Sequence, residues 1–465
     1  MIRQTFSRLP STSLLHPHNP LRAFVLGVLA LLVLAFAGPA LSQIQLGTDI
    51  DGEVGNDQSG RSVSLSSDGT RVAIGAYLND GANGSDSGHV RVYDWNGTAW
   101  AQVGTDIDGE AADDASGRSV SLSSDGTRVA IGAALNDGAN GSDSGHVRVY
   151  KLSGGSWIQL GSDIDGVAAD DFSGESVSLS SNGTRVAIGA GGSNGNGNNA
   201  GQVRIYDWNG TAWTQLGADI DGEAAGDNSG NSVALSSNGT RVAIGAIGND
   251  DNGNDSGHVR VYDWNGTAWT QVGTDIDGEV GNDQSGYSVS LSSDGTRVAI
   301  GANTNDDSAG QVRVYDWNGS AWTQLGADID GEAAYDYSGY SVSLSSDGTR
   351  VAIGANANDG NGANAGHVRV YGWNGTAWTQ LGTDIDGEAA SDLSGSSVSL
   401  SSDGTRVAIG AYLNDGANGN DSGHVRVYRF ASASSAPTPV PTLPLFGLGI
   451  LVSLLGLFGL RKLRQ

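Results

Sequence analysis

The residues able to do chemistry in this chain recur in about seven near-equal copies. Asp49, Asp51, Glu53 and Asp57 stand at i, i+2, i+4 and i+8, and the three aspartates recur in every copy, for instance as Asp106, Asp108 and Asp114. The Glu is missing only from the third copy, where Val167 stands. Clustered carboxylates around an intervening glycine are the hard oxygen donors that Ca²⁺ takes. The EF-hand pattern, however, needs a longer loop with a closing Glu, which this spacing lacks. The competing reading is that these aspartates form turns and satisfy loop backbone. Both readings stay open on sequence: calcium is the one cofactor the pattern raises, and no metal ligand set follows from it.

Three further sets recur. His89, His146, His258, His367 and His424 share one position, with Gln202 and Gln311 standing in for them in two copies. A histidine that exchanges with glutamine reads as a hydrogen bonder rather than a base. An arginine follows each Gly-Thr turn, from Arg71 to Arg406, and is expected to pair with the acidic loops. Tryptophan pairs such as Trp95 and Trp100 flank an Asn-Gly hairpin. Exposed, they could stack on sugar rings; packing across the hairpin is the expectation. An active site needs a few unlike groups converging on one place, whereas each of these candidates comes in many near-equal copies. The non-repeated residues, such as Lys151, Phe172 and Tyr335, form no triad or metal set. No catalytic residue is assigned, and no enzyme is expected.

The elements that must position these groups follow from the repeat itself. The Asp-Ile-Asp triplet opens a copy at Asp49, Asp106, Asp163, Asp219, Asp275, Asp328 and Asp384, in steps of 57, 57, 56, 56, 53 and 56 residues. A fixed period of this size signals a repeat architecture. In the first copy, residues 61–66 alternate polar and apolar with period two and read as a strand. The turn Ser67-Asp68-Gly69-Thr70 leads to a returning strand, 71–76, with both central turn residues expected at positive φ. A polar loop, 77–88, precedes a third strand at 89–95; Asn96-Gly97 turns the chain into a fourth at 99–104. Four short antiparallel strands per unit is the content of a propeller blade. Val63, Leu65, Val72 and Ile74 make one face bulky, while Ser62, Ser64, Ala73 and Gly75 make the other small, so successive blades can nest. The last copy stops at Phe430 without its tryptophan strand, and Gln43-Ile44-Gln45-Leu46-Gly47 aligns with the end of that missing strand. The expectation is an all-β fold: a seven-bladed β-propeller of four-stranded antiparallel blades over residues 43–430, closed by its N-terminal strand.

The motif Ser-Gly-x-Ser-Val-Ser-Leu (Ser59 to Leu65), then Val-Ala-Ile-Gly-Ala (Val72 to Ala76) and Gly-His-Val-Arg-Val-Tyr (Gly88 to Tyr93) resembles the FG-GAP repeats of integrin-α-type propellers. It departs where that family has Phe-Gly and the chain has Ser-Gly. The calcium loop that integrin blades carry between their first two strands is replaced by a short Ser-Ser-Asp-Gly turn, so that site is not carried over.

The ends point to export. Arg3, Arg8 and Arg22 precede an apolar run from Ala23 to Ala37 and a small-residue site ending at Ser42, which reads as a signal peptide over residues 1–42. Residues 431–442 form a Pro/Ser/Ala linker. Leu443 to Leu460 is apolar enough to span a membrane as one C-terminal transmembrane helix, and Arg461, Lys462 and Arg464 close the 443–465 segment as a basic tail. Val440-Pro441-Thr442-Leu443-Pro444, the apolar run and the basic tail together resemble the IPTL-CTERM and PEP-CTERM sorting signals. That resemblance implies sorting machinery as a partner and a surface or matrix destination.

All 51 acidic residues but only 17 of the 24 basic ones lie between Gln43 and Tyr428, a net charge of −34. Such a surface repels nucleic acid and anionic lipid. The chain has no cysteine, and a core of this size can do without disulfides. The function expected is that of a non-catalytic, exported cell-surface propeller acting as an adhesion, matrix or recognition scaffold. It would be anchored at the membrane by its C-terminal helix, or sorted to the surface and released after C-terminal processing, with an extracellular protein or glycan as ligand. The alternative is a lectin-like propeller that binds carbohydrate through calcium or aromatic platforms.

Overall fold

The structure, a computed structural model, describes residues 41–432. The expected signal peptide, apart from Leu41 and Ser42, and the expected tail helix at 443–460 lie outside these residues. Among the described residues no helix is long and apolar enough to cross a membrane.

Seven antiparallel sheets follow one another around a ring. In the first, Ser59–Leu65 pairs with Arg71–Ala76, which pairs with His89–Trp95, which pairs with Trp100–Gln102. The innermost strands line a central channel, where Val63 and its six equivalents share one cavity of about 290 Å³. Each sheet also holds a short strand not read from the sequence. Ile107–Asp108 of the second copy's acidic loop pairs with His89 and Val90 of the first blade. The Asp-Ile-Asp triplet is thus no mere loop opener. Its buried Ile docks on the preceding blade, Ile107 at 4 % exposure, and this anchors every acidic loop across two blades.

The ring is closed by its two ends. The seventh sheet contains Leu41–Gln45 and Ile50–Asp51 together with Ser397–Leu400, Arg406–Ala411 and His424–Ser432. The Leu46 amide donates to the Val427 carbonyl at 2.7 Å. Leu46 is buried, while Ile44 is 40 % exposed and points away.

Blades adhere by the expected nesting of bulky on small. Val63, Leu65, Val72 and Ile74 of the first blade pack with Ala408, Val425 and Val427 of the seventh. Burying a side chain such as Ile74 contributes about 1.5–3 kcal/mol, and the arrangement recurs at every interface. Gly75 is required because a Cβ there would run into the Gly117 carbonyl of the next blade. The small face is also stitched by hydrogen bonds. Ser62 Oγ donates to the Gly117 carbonyl at 2.7 Å, and the Leu122 amide donates to Ser64 Oγ at 2.9 Å.

Two local expectations are corrected. In the turn between the first two strands only Gly69 has positive φ; Asp68 does not. Its carboxylate instead accepts from the Thr70 amide and the Ser66 and Thr70 hydroxyls, a side-chain-capped turn rather than the mirror-image hairpin turn. Asn96-Gly97 behaves alike, with the Asn96 side chain accepting from the Thr98 and Ala99 amides. The arginines do not meet the acidic loops. Arg71 grips Asp94 of its own third strand (Nη2–Oδ2 2.7 Å) and donates to the Gly126 carbonyl of the next blade. Arg406 closes this belt onto the Gly69 carbonyl at 2.9 Å. The strand order explains it: these arginines lie at the end of the ring opposite the acidic loops.

Candidate functional site

One face of the ring carries the acidic loops and the loops between second and third strands. Every non-glycine residue with positive φ among the described residues lies in these two sets of loops, for example Asn56, Gln58 and Asp86 at 69°, 54° and 50°. Backbone held in such sparsely populated conformations concentrates where a fold positions functional groups. On the opposite face only glycines among the described residues, such as Gly69 and Gly97, take positive φ.

On this face, at the channel mouth, stand the residues that vary. The position after each Ser-Gly is Arg61, Arg118, Glu175, Asn231, Tyr287, Tyr340 and Ser396 in the seven copies, and these seven side chains line one cavity of about 210 Å³. A tight turn aims them. Gln58 adopts φ 54° and Gly60 φ 91°, and the Arg61 amide donates back to the Gln58 carbonyl. In the first, fourth and sixth blades the strand register shifts at this point, a bulge of the kind that re-aims a side chain. The ring has two unlike arcs. Arg118 stands 3.8 Å from Glu175. Burial pushes the Glu175 carboxyl up, against the pull of Arg118 and Arg61. Across from them, the Tyr287 and Tyr340 rings lie 5.0 Å apart, tilted by 47°. Small Ser396 lets Arg61 reach towards them, and its guanidinium lies 5.6 Å from the Tyr412 ring and 5.9 Å from the Tyr77 ring. These contacts are within cation–π range.

The acidic loop does not gather into one cradle. Asp57 is buried and accepts from the Glu53 and Val54 amides, the turn-capping reading. Asp51 offers its backbone carbonyl to Arg91 at 2.7 Å. Asp49 is held by Gln45 at 2.6 Å, while Glu53 lies 3.5 Å from Arg91 and 4.0 Å from His89. Burial raises the carboxyl pKa of both Asp51 and Glu53. The four residues therefore serve separate contacts, Asp51 through its backbone.

The histidines are buried, His89 and His424 at 1 % exposure. Burial, then the adjacent Arg91 or Arg426, brings these two down to about 4. They were expected to be hydrogen bonders, yet Nε2 of all five lacks a partner among the described residues. The tryptophans pack as expected: Trp95 and Trp100 lie 5.4 Å apart across their hairpin, and Trp100 Nε1 donates to the Leu46 carbonyl of the neighbouring blade. Lys151, Phe172 and Tyr335 are not brought together. Lys151 sits at the far end of a third strand, Phe172 lies against Gly192, and Tyr335 is 65 % exposed in its loop. What sequence reasoning missed is the channel-mouth ring. The signal was present as a position after each Ser-Gly where near-identical copies diverge in charge and size, as they also diverge in size at Gln58 and Tyr77 and their equivalents.

Fold and site together define a seven-bladed propeller with a diversified axial mouth. Three segments, residues 48–93, 219–262 and 328–371, match the FG-GAP repeat family, in the first, fourth and sixth copies. No curated protein sequence matches the chain. Among solved structures, the hydrazine synthase of Kuenenia stuttgartiensis superposes with a TM-score of 0.53 at 14 % identity, over 84 % of this chain and 98 % of that one. At that identity the likeness is one of fold alone.

Proposed function

We propose that this protein is a non-catalytic, exported recognition propeller that binds its ligand at the channel mouth. One observation carries the reading: copies that agree nearly everywhere differ at the seven positions that share one axial cavity. Identical copies offer only a seven-fold symmetric surface, which suits few ligands. Packing alone would be met by small residues such as Ser396, so two arginines, two tyrosines and a glutamate exceed what closure needs. Arg61 and Arg118 place positive charge in a domain of net charge −33, Arg429 included. A fitting ligand brings an anionic group to them and a flat face to Tyr287 and Tyr340, as acidic sugars of an extracellular polysaccharide do. The ring holds a single carboxylate, so it lacks the paired carboxyls of glycoside hydrolysis. The exported, surface-held setting rests on the N-terminal and C-terminal sequence patterns.

The test is an array of acidic and neutral glycans probed with the full chain and with an Arg61→Ser/Arg118→Ser variant. Serine is the residue the seventh copy already carries at this position. The expected result is binding of acidic glycans, weakened about tenfold or more in the variant, in keeping with charge-assisted contacts. Binding that the variant leaves unchanged, or none at all, overturns the reading.

A further inference from the structure

The same face carries a second set of groups that the channel mouth does not use. At five interfaces the buried histidine of a third strand meets the Glu of its own copy and the first Asp of the next. The sets are Glu53, His89 and Asp106; Glu110, His146 and Asp163; Glu332, His367 and Asp384; Glu388, His424 and Asp49; and Glu223, His258 and Asp275, which Asp251 joins. In each set one nitrogen or oxygen per residue lies within 4.8 Å of all the others. We infer that these clusters are interblade binding sites for a divalent transition-metal cation of the Zn²⁺ or Mn²⁺ type, with the four-donor site at His258 the strongest.

Three observations carry this. First, His258 is fully enclosed, neither ring nitrogen has a hydrogen-bond partner among the described residues, and its Nδ1 faces Glu223 Oε2 at 4.0 Å. That separation is too long for a hydrogen bond. At the ring closure His424 Nδ1 lies 4.0 Å from Asp49 Oδ2 and 3.9 Å from Glu388 Oε2. The centre of such a triangle is about 2.4 Å from its corners, close to metal–ligand distances. Second, several of these carboxylates are held from outside by neighbouring side chains. Gln271 donates to Asp275 Oδ1, Gln45 to Asp49 Oδ1, and Arg260 lies 3.5 Å from Glu223 Oε1. Outer partners of this sort fix first ligands in place. Third, where the histidine is lost, either the Glu is lost with it or the replacing side chain bonds to that Glu. The copy with Val167 in place of Glu has Gln202 in place of His. Where Glu279 remains beside Gln311, the amide of Gln311 fills the gap with a 3.1 Å hydrogen bond. Asp251 stands where five other copies have glycine, as at Gly81, and supplies the fourth donor of the His258 site. Mixed imidazole and carboxylate donors suit zinc and manganese better than calcium, which takes oxygen alone.

The experiment titrates the chelator-stripped full chain with ZnCl₂ in a calorimeter, alongside His258→Gln and a variant with all five histidines changed to glutamine. Glutamine is the residue of two native copies, so the fold is expected to hold, as circular dichroism checks. The substitution removes a donor without changing the carboxylate charge that draws cations non-specifically. The expected result is tight Zn²⁺ binding that loses its strongest component in His258→Gln, weakens at least tenfold in the five-fold variant, and survives a hundredfold excess of Ca²⁺. Zn²⁺ binding that is equal in a folded five-fold variant, displaced by Ca²⁺ at parity, or absent from the intact chain overturns the proposal. Should the five-fold variant fail to fold, His258→Gln and Glu223→Gln decide by the same readout.

Discussion

At the scale of single residues, the copies specify how closely backbones meet. Gly75 has ordinary backbone angles but faces the Gly117 carbonyl of the next blade, whereas Gly97 has φ 99° with nothing near its missing side chain. The two glycines should therefore fail differently. Gly75→Ala forces blades apart and is expected to cost about 3 kcal/mol or more, at the upper end of overpacking effects. Gly97→Ala meets only backbone strain, about 1 kcal/mol. Urea unfolding midpoints of the two variants check the order; equal midpoints would show that the interface yields. Residue chemistry was partly legible in the sequence. Asp57 caps its turn and Trp95 packs on Trp100 as their types and spacing imply. The partners of Arg71 and His89 were not legible, because Asp94 and Gly126, or Glu53 and Asp106, become neighbours only once strands are ordered within and between blades.

At the scale of elements, the alternation in Arg71–Ala76 and His89–Trp95 announced strands, and both ends of each were right. The two-residue strand Ile107–Asp108 was invisible, since two residues carry no period. It docks on the preceding blade because Ile107 has a buried pocket there. The closing strand Leu41–Gln45 belongs to the same class of cross-blade staple. Removing residues 43–46 from the mature chain should uncover the edge of His424–Ser432 and the apolar cluster that Leu46 completes. Calorimetry is expected to show a broader transition several degrees or more lower. An unchanged melt would mean the ring does not depend on that strand.

At the scale of the whole molecule, the closure contacts repeat those of every other interface. Ser397 Oγ donates to the Gly60 carbonyl at 2.8 Å, just as Ser62 does to Gly117. The position of the chain ends around the ring is then arbitrary. A circular permutant with Ala431 joined to Leu41 by a short linker, and opened between Gly154 and Gly155, keeps a fourth strand as its closing segment. Both glycines have open space around them. Its circular dichroism spectrum should match that of the native order, with Tm within a few degrees. A permutant that fails to fold would place the stability in the first and last blades.

The sequence by itself determined the number of blades, the four main strands of each, the bulky and small faces and the need for the N-terminal segment to complete the last sheet. All of these follow from local periodicity and from counting copies. Only the tertiary structure decided what the copies do jointly. Arg61, Arg118, Glu175, Tyr287 and Tyr340 are separated by 53 or more residues from one another along the chain, and they share a cavity because closure of the ring brings seven equivalent positions to one axis. His258 meets Glu223 and Asp275 for a similar reason: the short Asp-Ile-Asp strand carries one blade's carboxylate onto its neighbour. Contacts made by rotating a unit about an axis leave no trace in the spacing within that unit.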